Sequence, residues 1–460
     1  MYHADTWKEK VILFLKIIWP IVVTQVGLAA MNFVDTVMSG RVSKEDLAGV
    51  AIGSSLWMPV FVGINGILMA ASPLIAHLIG QGKHKHISRT VSQTLYVAVG
   101  MAIVLFIAGA FFLRPILGLM ELEPKVEHVA FHYLIGLSIG IIPLFATNVL
   151  RYFFDAQGFT RITMMIILLA IPFNVVLNAG FIFGYFGLPA LGGIGAGYAT
   201  AITYWITFLI SVIITFRNRT FREHKLFIKW PRPELKAWKE ILSIGVPMGL
   251  SVFFEASIFS VVTLFMGALF DTLTVSAHQI ALNVTSMIFM VPLSMAMGLT
   301  ILVGYSVGGG KRENARQYAI LGVGGSIGFL MLCSVFLFTF REVIASAYTT
   351  DPAVIQLAGA FLMIATLYQV SDGAQASLQG VLRGYKDVNV PFWIAFVSYW
   401  IIGIPSGYIL AQMTTLGPFG FWVGIIIGLT SAAIGFLIRL RTIRKRDSRF
   451  VTHSVNEPTH

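Results

Sequence analysis

Residues 162–216 read ITMMIILLAIPFNVVLNAGFIFGYFGLPALGGIGAGYATAITYWITFLISVIITF, 55 consecutive positions without Asp, Glu, Lys or Arg. An apolar helix needs about 20 residues to cross the hydrocarbon core of a bilayer, so this stretch holds two crossings and a short connection. Outward from it the same pattern repeats. Apolar runs of helical length lie near 14–39, 47–76, 91–113, 129–150, 162–184, 190–216, 241–268, 275–303, 317–340, 354–381, 388–411 and 418–438, predicting twelve spans. The chain is 57% hydrophobic and 12% charged, and the charged share is about half that of an ordinary soluble domain, which excludes a water-soluble protein. A single cysteine, Cys333, excludes an intrachain disulfide and any CxxC motif.

The net charge of +11 raises the question of nucleic acid. With the N-terminus on the cytoplasmic side, 27 of the 32 Lys and Arg residues fall on the inner side of the predicted spans. Only Arg41, Lys44, Arg114, Lys125 and Arg341 fall outside. That asymmetry is the positive-inside signature of a multi-pass membrane protein with both termini cytoplasmic. No nucleic-acid partner is expected; membrane lipid is.

The chain also matches itself at an offset of 226 to 228 residues: Pro20 with Pro247, Gly40 with Gly267, Gly82 with Gly310, Pro124 with Pro352, Gly158 with Gly384. Each half then has six spans, an even number, so both enter the membrane from the same side. The expected organisation is an N-lobe over 1–216, a basic linker over 217–240, a C-lobe over 241–440 and a tail over 441–460. Parallel repeats of this kind occur in secondary transporters. Prolines at 20, 172, 247, 292 and 405 lie inside spans, where each removes a helix hydrogen bond and permits a bend.

Of 21 Asp and Glu, three remain inside predicted spans: Asp35, Glu255 and Asp372. Each would cost about 2.5 to 3.5 kcal/mol facing lipid, so each should face a polar cavity. The plainer alternative is an acid satisfied by a neighbouring helix. A carboxylate in a low-dielectric cavity, neutralised by H⁺ or Na⁺, can act as the switch of a cation-coupled carrier. Asn174 and Asn178, one turn apart on span five, and Thr200 on span six offer the oxygens a hard cation takes. In the second half Tyr368 and Asp372, four apart, share a helix face, with Glu255 contributed from span seven. His77 and His278 lie in spans with no second ligand at metal spacing, and no metal beyond Na⁺ is expected. The spans show no Ser/His dyad, paired catalytic aspartates or zinc motif, which argues against an enzyme.

The segments Asn32-Phe33-Val34-Asp35-Thr36, Phe254-Glu255, Ala277-His278-Gln279-Ile280-Ala281-Leu282-Asn283 and Leu382-Arg383-Gly384-Tyr385-Lys386-Asp387 resemble the multidrug and toxic compound extrusion (MATE) antiporters, NorM-type bacterial members in particular. The resemblance runs from about Lys8 to Arg441. It implies an all-α polytopic membrane protein, twelve transmembrane helices in two parallel six-helix repeats forming a V-shaped two-lobe transporter. It further implies a monomer without organic cofactor, exporting lipophilic cationic or zwitterionic drug-like compounds in exchange for Na⁺ or H⁺. By position Asp35, Asn174, Asn178, Ala196 and Thr200 match the family's first-lobe cation site, Ala196 through its carbonyl. Glu255, Tyr368 and Asp372 match the second-lobe acidic site of NorM-type members. An acid that some members carry one turn beyond the second asparagine is Ile182 here. The competing reading is a lipid-linked oligosaccharide flippase of the same superfamily, which would want a cationic cavity for pyrophosphate.

Overall fold

The computed structural model describes residues 2–455, with side chains described for 2–447. In chain order the helices are α1 (Trp7–Gly40), α2 (Lys44–Leu68), α3 (Ala71–Gly80), α4 (Ile87–Leu119), α5 (Pro124–Ser138), α6 (Ile141–Ala156), α7 (Thr160–Phe183), α8 (Gly193–Arg217), α9 (Arg219–Arg222), α10 (Leu235–Leu269), α11 (Thr272–Gly308), α12 (Arg312–Ser346), α13 (Pro352–Gly384), α14 (Asn389–Phe396), α15 (Ile404–Met413) and α16 (Phe419–Val455). Among the described residues eleven helical segments are long and apolar enough to cross a membrane, and the bent pair α5–α6 makes a twelfth.

Several of the described spans depart from straight rods. The second is interrupted between α2 and α3, where the sequence predicts one run over 47–76. The fourth bends by 52° between α5 and α6. Gly140 sits at that bend, and a Cβ there would lie 2.6 Å from the Ala201 Cα; the close crossing over α8 accounts for the missing side chain. The predicted end of this span at residue 150 is corrected to Ala156. Arg151 and Asp155 continue the buried helix because each offsets the other's charge, so a charged pair does not mark the membrane boundary here. The eleventh span contains a π-helical turn, Val397–Gly403, immediately before Pro405. Proline offers no N–H to the turn behind it, and the wider turn accommodates that loss.

The molecule comprises two compact units: Met1–Gly249 with Tyr305–Gly310, and Leu250–Gly304 with Lys311 onward. In the first, α1 packs on α7, α7 on α8, α8 on α5 and α6, and α2 on α5. The connection into α8 is pinned by Asp46, which accepts a 2.8 Å bond from the Gly193 N–H. That approach needs Gly192 at φ 62° and ψ −138°, a conformation open in practice only to glycine.

The basic linker is tied to this unit rather than running free. The Gln93 amide donates to the Arg232 carbonyl at 2.9 Å and accepts from the Glu234 N–H and the Trp238 indole at 3.1 and 2.8 Å. Phe221 is fully buried among Phe153, Phe154 and Phe159. The hydrogen bond from the Arg89 guanidinium holds the Glu234 carboxyl below the usual carboxylate range. In the second unit α13 packs on α12 and α16, and α15 on α16. Arg439 makes a bidentate pair with Asp387, at 2.6 and 3.0 Å.

Candidate cation and substrate sites

In the first unit α1, α7 and α8 converge on one carboxylate. Asp35 is 4% exposed; its Oδ1 accepts from the Asn178 amide at 2.7 Å and its Oδ2 from the Thr200 hydroxyl at 2.6 Å. Asn178 Nδ2 also reaches Asn174 Oδ1 at 3.2 Å, as residues one turn apart on a helix allow. Asn178 Oδ1 and Asn174 Nδ2 are buried without a hydrogen-bond partner. Ala196, one turn before Thr200, lies in an apolar cluster with Val50, Tyr133, Leu137 and Ile182. Ile182 therefore packs where a second acid would have stood.

Among the described residues no Lys, Arg or His pairs with Asp35. A buried carboxylate without a counter-charge costs several kcal/mol, which a bound cation offsets. The donors fit a hard cation: a carboxylate, two amide oxygens of which one is unpartnered, and a hydroxyl. Engaging the Asn178 oxygen requires its amide to turn over, since its NH₂ now faces the acid.

In the second unit the two acids are joined by a residue absent from the sequence-based set. Gln375 Nε2 donates to Glu255 Oε1 at 2.6 Å and to Asp372 Oδ1 at 3.4 Å, while its Oε1 accepts from the Tyr399 hydroxyl at 2.8 Å. Tyr399 belongs to the π-helical turn. Tyr368 donates to Asp372 Oδ2 at 3.1 Å. Glu255, Tyr368 and Asp372 border a cavity of about 320 Å³ with apolar walls at Phe259, Phe289 and Leu293, and Arg383 on its lining. Gln375 lies three residues after Asp372 on α13 and Arg383 eleven, about three full turns, so helical spacing signals both; Tyr399, on another segment, carries no such signal.

Gln375→Leu should lower the unfolding midpoint in detergent by the equivalent of about 1 to 3 kcal/mol, the cost of leaving a buried hydroxyl and two acids without their partner. Adding Tyr399→Phe should recover part of that loss; a single variant as stable as wild type would contradict the bridge.

His278, set aside in the sequence as a metal ligand, has both ring nitrogens engaged: Nδ1 accepts from the Trp422 indole at 3.0 Å, and Nε2 lies 2.9 Å from the Thr263 hydroxyl. Among the described residues no three His, Cys, Asp or Glu gather around a metal-sized site. Two buried acids outside the sequence-based set are Asp46, described above, and Asp155 on α6.

The MatE family model matches residues 20–179 and 247–409, two blocks that begin at the prolines paired by the internal repeat. The chain belongs to the MATE family. It is a multi-span membrane transporter rather than an enzyme. Similar MATE relatives include the probable multidrug resistance protein NorM of Oceanobacillus iheyensis, 48% identical over 97% of this chain and 100% of that protein. The protein of the same name in Bacillus subtilis is 48% identical over 98% and 99%. Among solved structures, a MATE protein in the bent conformation matches with a TM-score of 0.87 at 20% identity, covering 96% of this chain and 97% of that one. The eukaryotic MATE transporter AtDTX14 matches at 0.83 and 19%, covering 97% and 100%. At those identities the structures speak for the MATE fold alone.

Proposed function

We propose that the chain is a secondary multidrug efflux transporter of the plasma membrane, acting as a monomer and exporting lipophilic cationic or zwitterionic compounds in exchange for inward Na⁺ or H⁺. The observation that carries this reading is Asp35, a buried carboxylate with no Lys, Arg or His paired to it among the described residues, held by the Asn178 amide and the Thr200 hydroxyl from two other helices. Export against a gradient needs a group whose occupancy differs between the two half-cycles, and this acid is suited to that. The relatives' printed name, multidrug resistance protein, supports the substrate breadth. The second-unit cavity, with two acids, one arginine and aromatic walls, suits a lipophilic cation better than an anion.

The test is counterflow in proteoliposomes with a fluorescent cationic drug and a Na⁺ or a pH gradient imposed separately. One of the two gradients should drive drug movement; movement driven by neither refutes antiport. In the same assay lipophilic cations should be exported at least several-fold faster than hydrophobic anions of equal size, and the reverse order refutes the electrostatic part.

Sidedness is checked separately. From the partition of basic residues, Ser448→Cys should resist an impermeant thiol reagent in intact cells and react after permeabilisation. Labelling in intact cells would place the tail outside.

A further inference from the structure

In the first unit α4 packs tightly over only half its length. Its buried residues run from Ile87 through Val91, Leu95 and Ala98 to Ala102, and beyond Ala102 the next buried residue is Leu117. Over that second half a groove of about 570 Å³ separates α4 from α2 and α5. Gly109 lies on the groove. A glycine inside a span ordinarily marks a close helix crossing. A Cβ at Gly53 of α2 would lie 2.5 Å from Tyr133, and one at Gly136 of α5 would lie 3.1 Å from Tyr198, but one at Gly109 would meet nothing within 4 Å. This glycine faces open space.

The groove is apolar, with Trp57 and Val60 from α2, Phe106 and Leu113 from α4, and Phe131 and Leu134 from α5. Along α4 its lining runs from Leu105 to Ile116, a rise of about 16 Å. Half the hydrocarbon core of a bilayer is about 15 Å deep, so the groove spans one leaflet. Since α1 crosses away from Trp7, α2 and α3 return, and α4 crosses again, that leaflet is the one away from Trp7.

Arg114 lines the groove near the end of α4 that meets the headgroups. Its guanidinium stands over the Phe131 ring, 4.5 Å from the centroid. The ring attracts the charge but offers no oxygen to its five N–H donors. Among the described residues Arg114 forms no ion pair, although Glu121, Glu123 and Glu127 follow closely in the chain. Charge and depth together select the occupant. An acyl chain takes an apolar slot one leaflet deep, and a phosphate at headgroup level takes a guanidinium with free donors. A cationic drug would meet a like charge at Arg114, and a symmetric pairing of two copies through this face would set two such charges toward one another.

We propose that the groove between α2, α4 and α5 is a binding site for one anionic phospholipid, its phosphate held by Arg114 and one acyl chain lying along Gly109 toward Leu105. The site rests on the membrane-spanning fold and not on the antiport reading.

The test uses the full chain, purified and delipidated in a neutral detergent. Native mass spectrometry compares phosphatidylglycerol with phosphatidylcholine of the same acyl chains. The wild type should hold one phosphatidylglycerol about five-fold more tightly, the preference that one Arg near the surface gives for anionic lipid. Arg114→Gln should remove that preference and leave phosphatidylcholine binding within two-fold. Gly109→Phe, placed in open space, should weaken both lipids at least five-fold. Lys125→Gln, which removes a basic residue outside the groove, should keep the preference. In the wild type a phosphatidylglycerol with a photoactivatable acyl chain should crosslink to residues 105–116 and 131–138. Equal affinity for the two lipids in the wild type, an undiminished preference in Arg114→Gln, or crosslinks confined to other segments would each overturn the proposal. A cationic drug that displaces the crosslink would assign the groove to a drug instead, and a dimer that Gly109→Phe dissociates would assign it to a second copy of the chain.

Discussion

Asp35→Asn should abolish gradient-driven export while leaving a folded, membrane-inserted protein that still binds drug. Asparagine matches aspartate in size and can still accept from Thr200, so the junction of α1, α7 and α8 keeps its packing. What it loses is a charge whose neutralisation differs between states. Drug and cation must influence each other's binding reciprocally, with coupling energies of about 1 to 3 kcal/mol, or about 5- to 150-fold. Removing that coupling should lower export by about two orders of magnitude. Added Na⁺ or acid should weaken drug binding in the wild type and do so much less in the variant. Asp35→Glu, which keeps the charge on a longer stem, should retain part of the rate. Glu255→Gln and Asp372→Asn test the second unit, where two acids already share the Gln375 amide and border the position of Arg383. Wild-type export by Asp35→Asn at equal expression, with loss in Glu255→Gln, would move the coupling group to the second unit.

Arg151→Met should be the most destabilising single change among the polar residues of the first unit. It leaves the Asp155 carboxylate, 4% exposed, with only the Thr163 hydroxyl, and breaking a buried pair from one side costs about 3 to 5 kcal/mol. Adding Asp155→Leu should recover most of that, because a buried ion pair replaced by apolar side chains is often close to neutral. The residual cost is the Thr163 hydroxyl, about 1 kcal/mol. Chemical unfolding in detergent reads both; equal stability of wild type and Arg151→Met would show that the pair is not electrostatically coupled.

The Asp35 neighbourhood was legible because its parts obey local rules. A lone acid inside an apolar run stands out, Asn174 and Asn178 share a face by helical spacing, and Thr200 lies in the same 55-residue uncharged stretch. Asp155 escaped because a charged residue near the end of an apolar run reads as the membrane boundary; α6 continues past that point because Arg151, one turn away, offsets the charge. Tyr399, and the role of Gln375 as the bridge between the acids, escaped for a different reason. An amide on α13 and a hydroxyl on the π-helical turn are ordinary residues until helices 24 and 120 positions apart in the chain bring Tyr399 and Glu255 to the same side chain.

Hydropathy, charge asymmetry and the repeat are sums over many residues, so they survive local exceptions; from them alone follow a membrane-spanning helical chain, its twelve crossings and its two similar halves. The bend at Gly140, the π-helical turn before Pro405 and the partners of each buried acid depend on single contacts between distant segments. Those contacts exist only once the helices are packed, because a hydrogen bond's worth is decided by the dielectric and the geometry that packing creates.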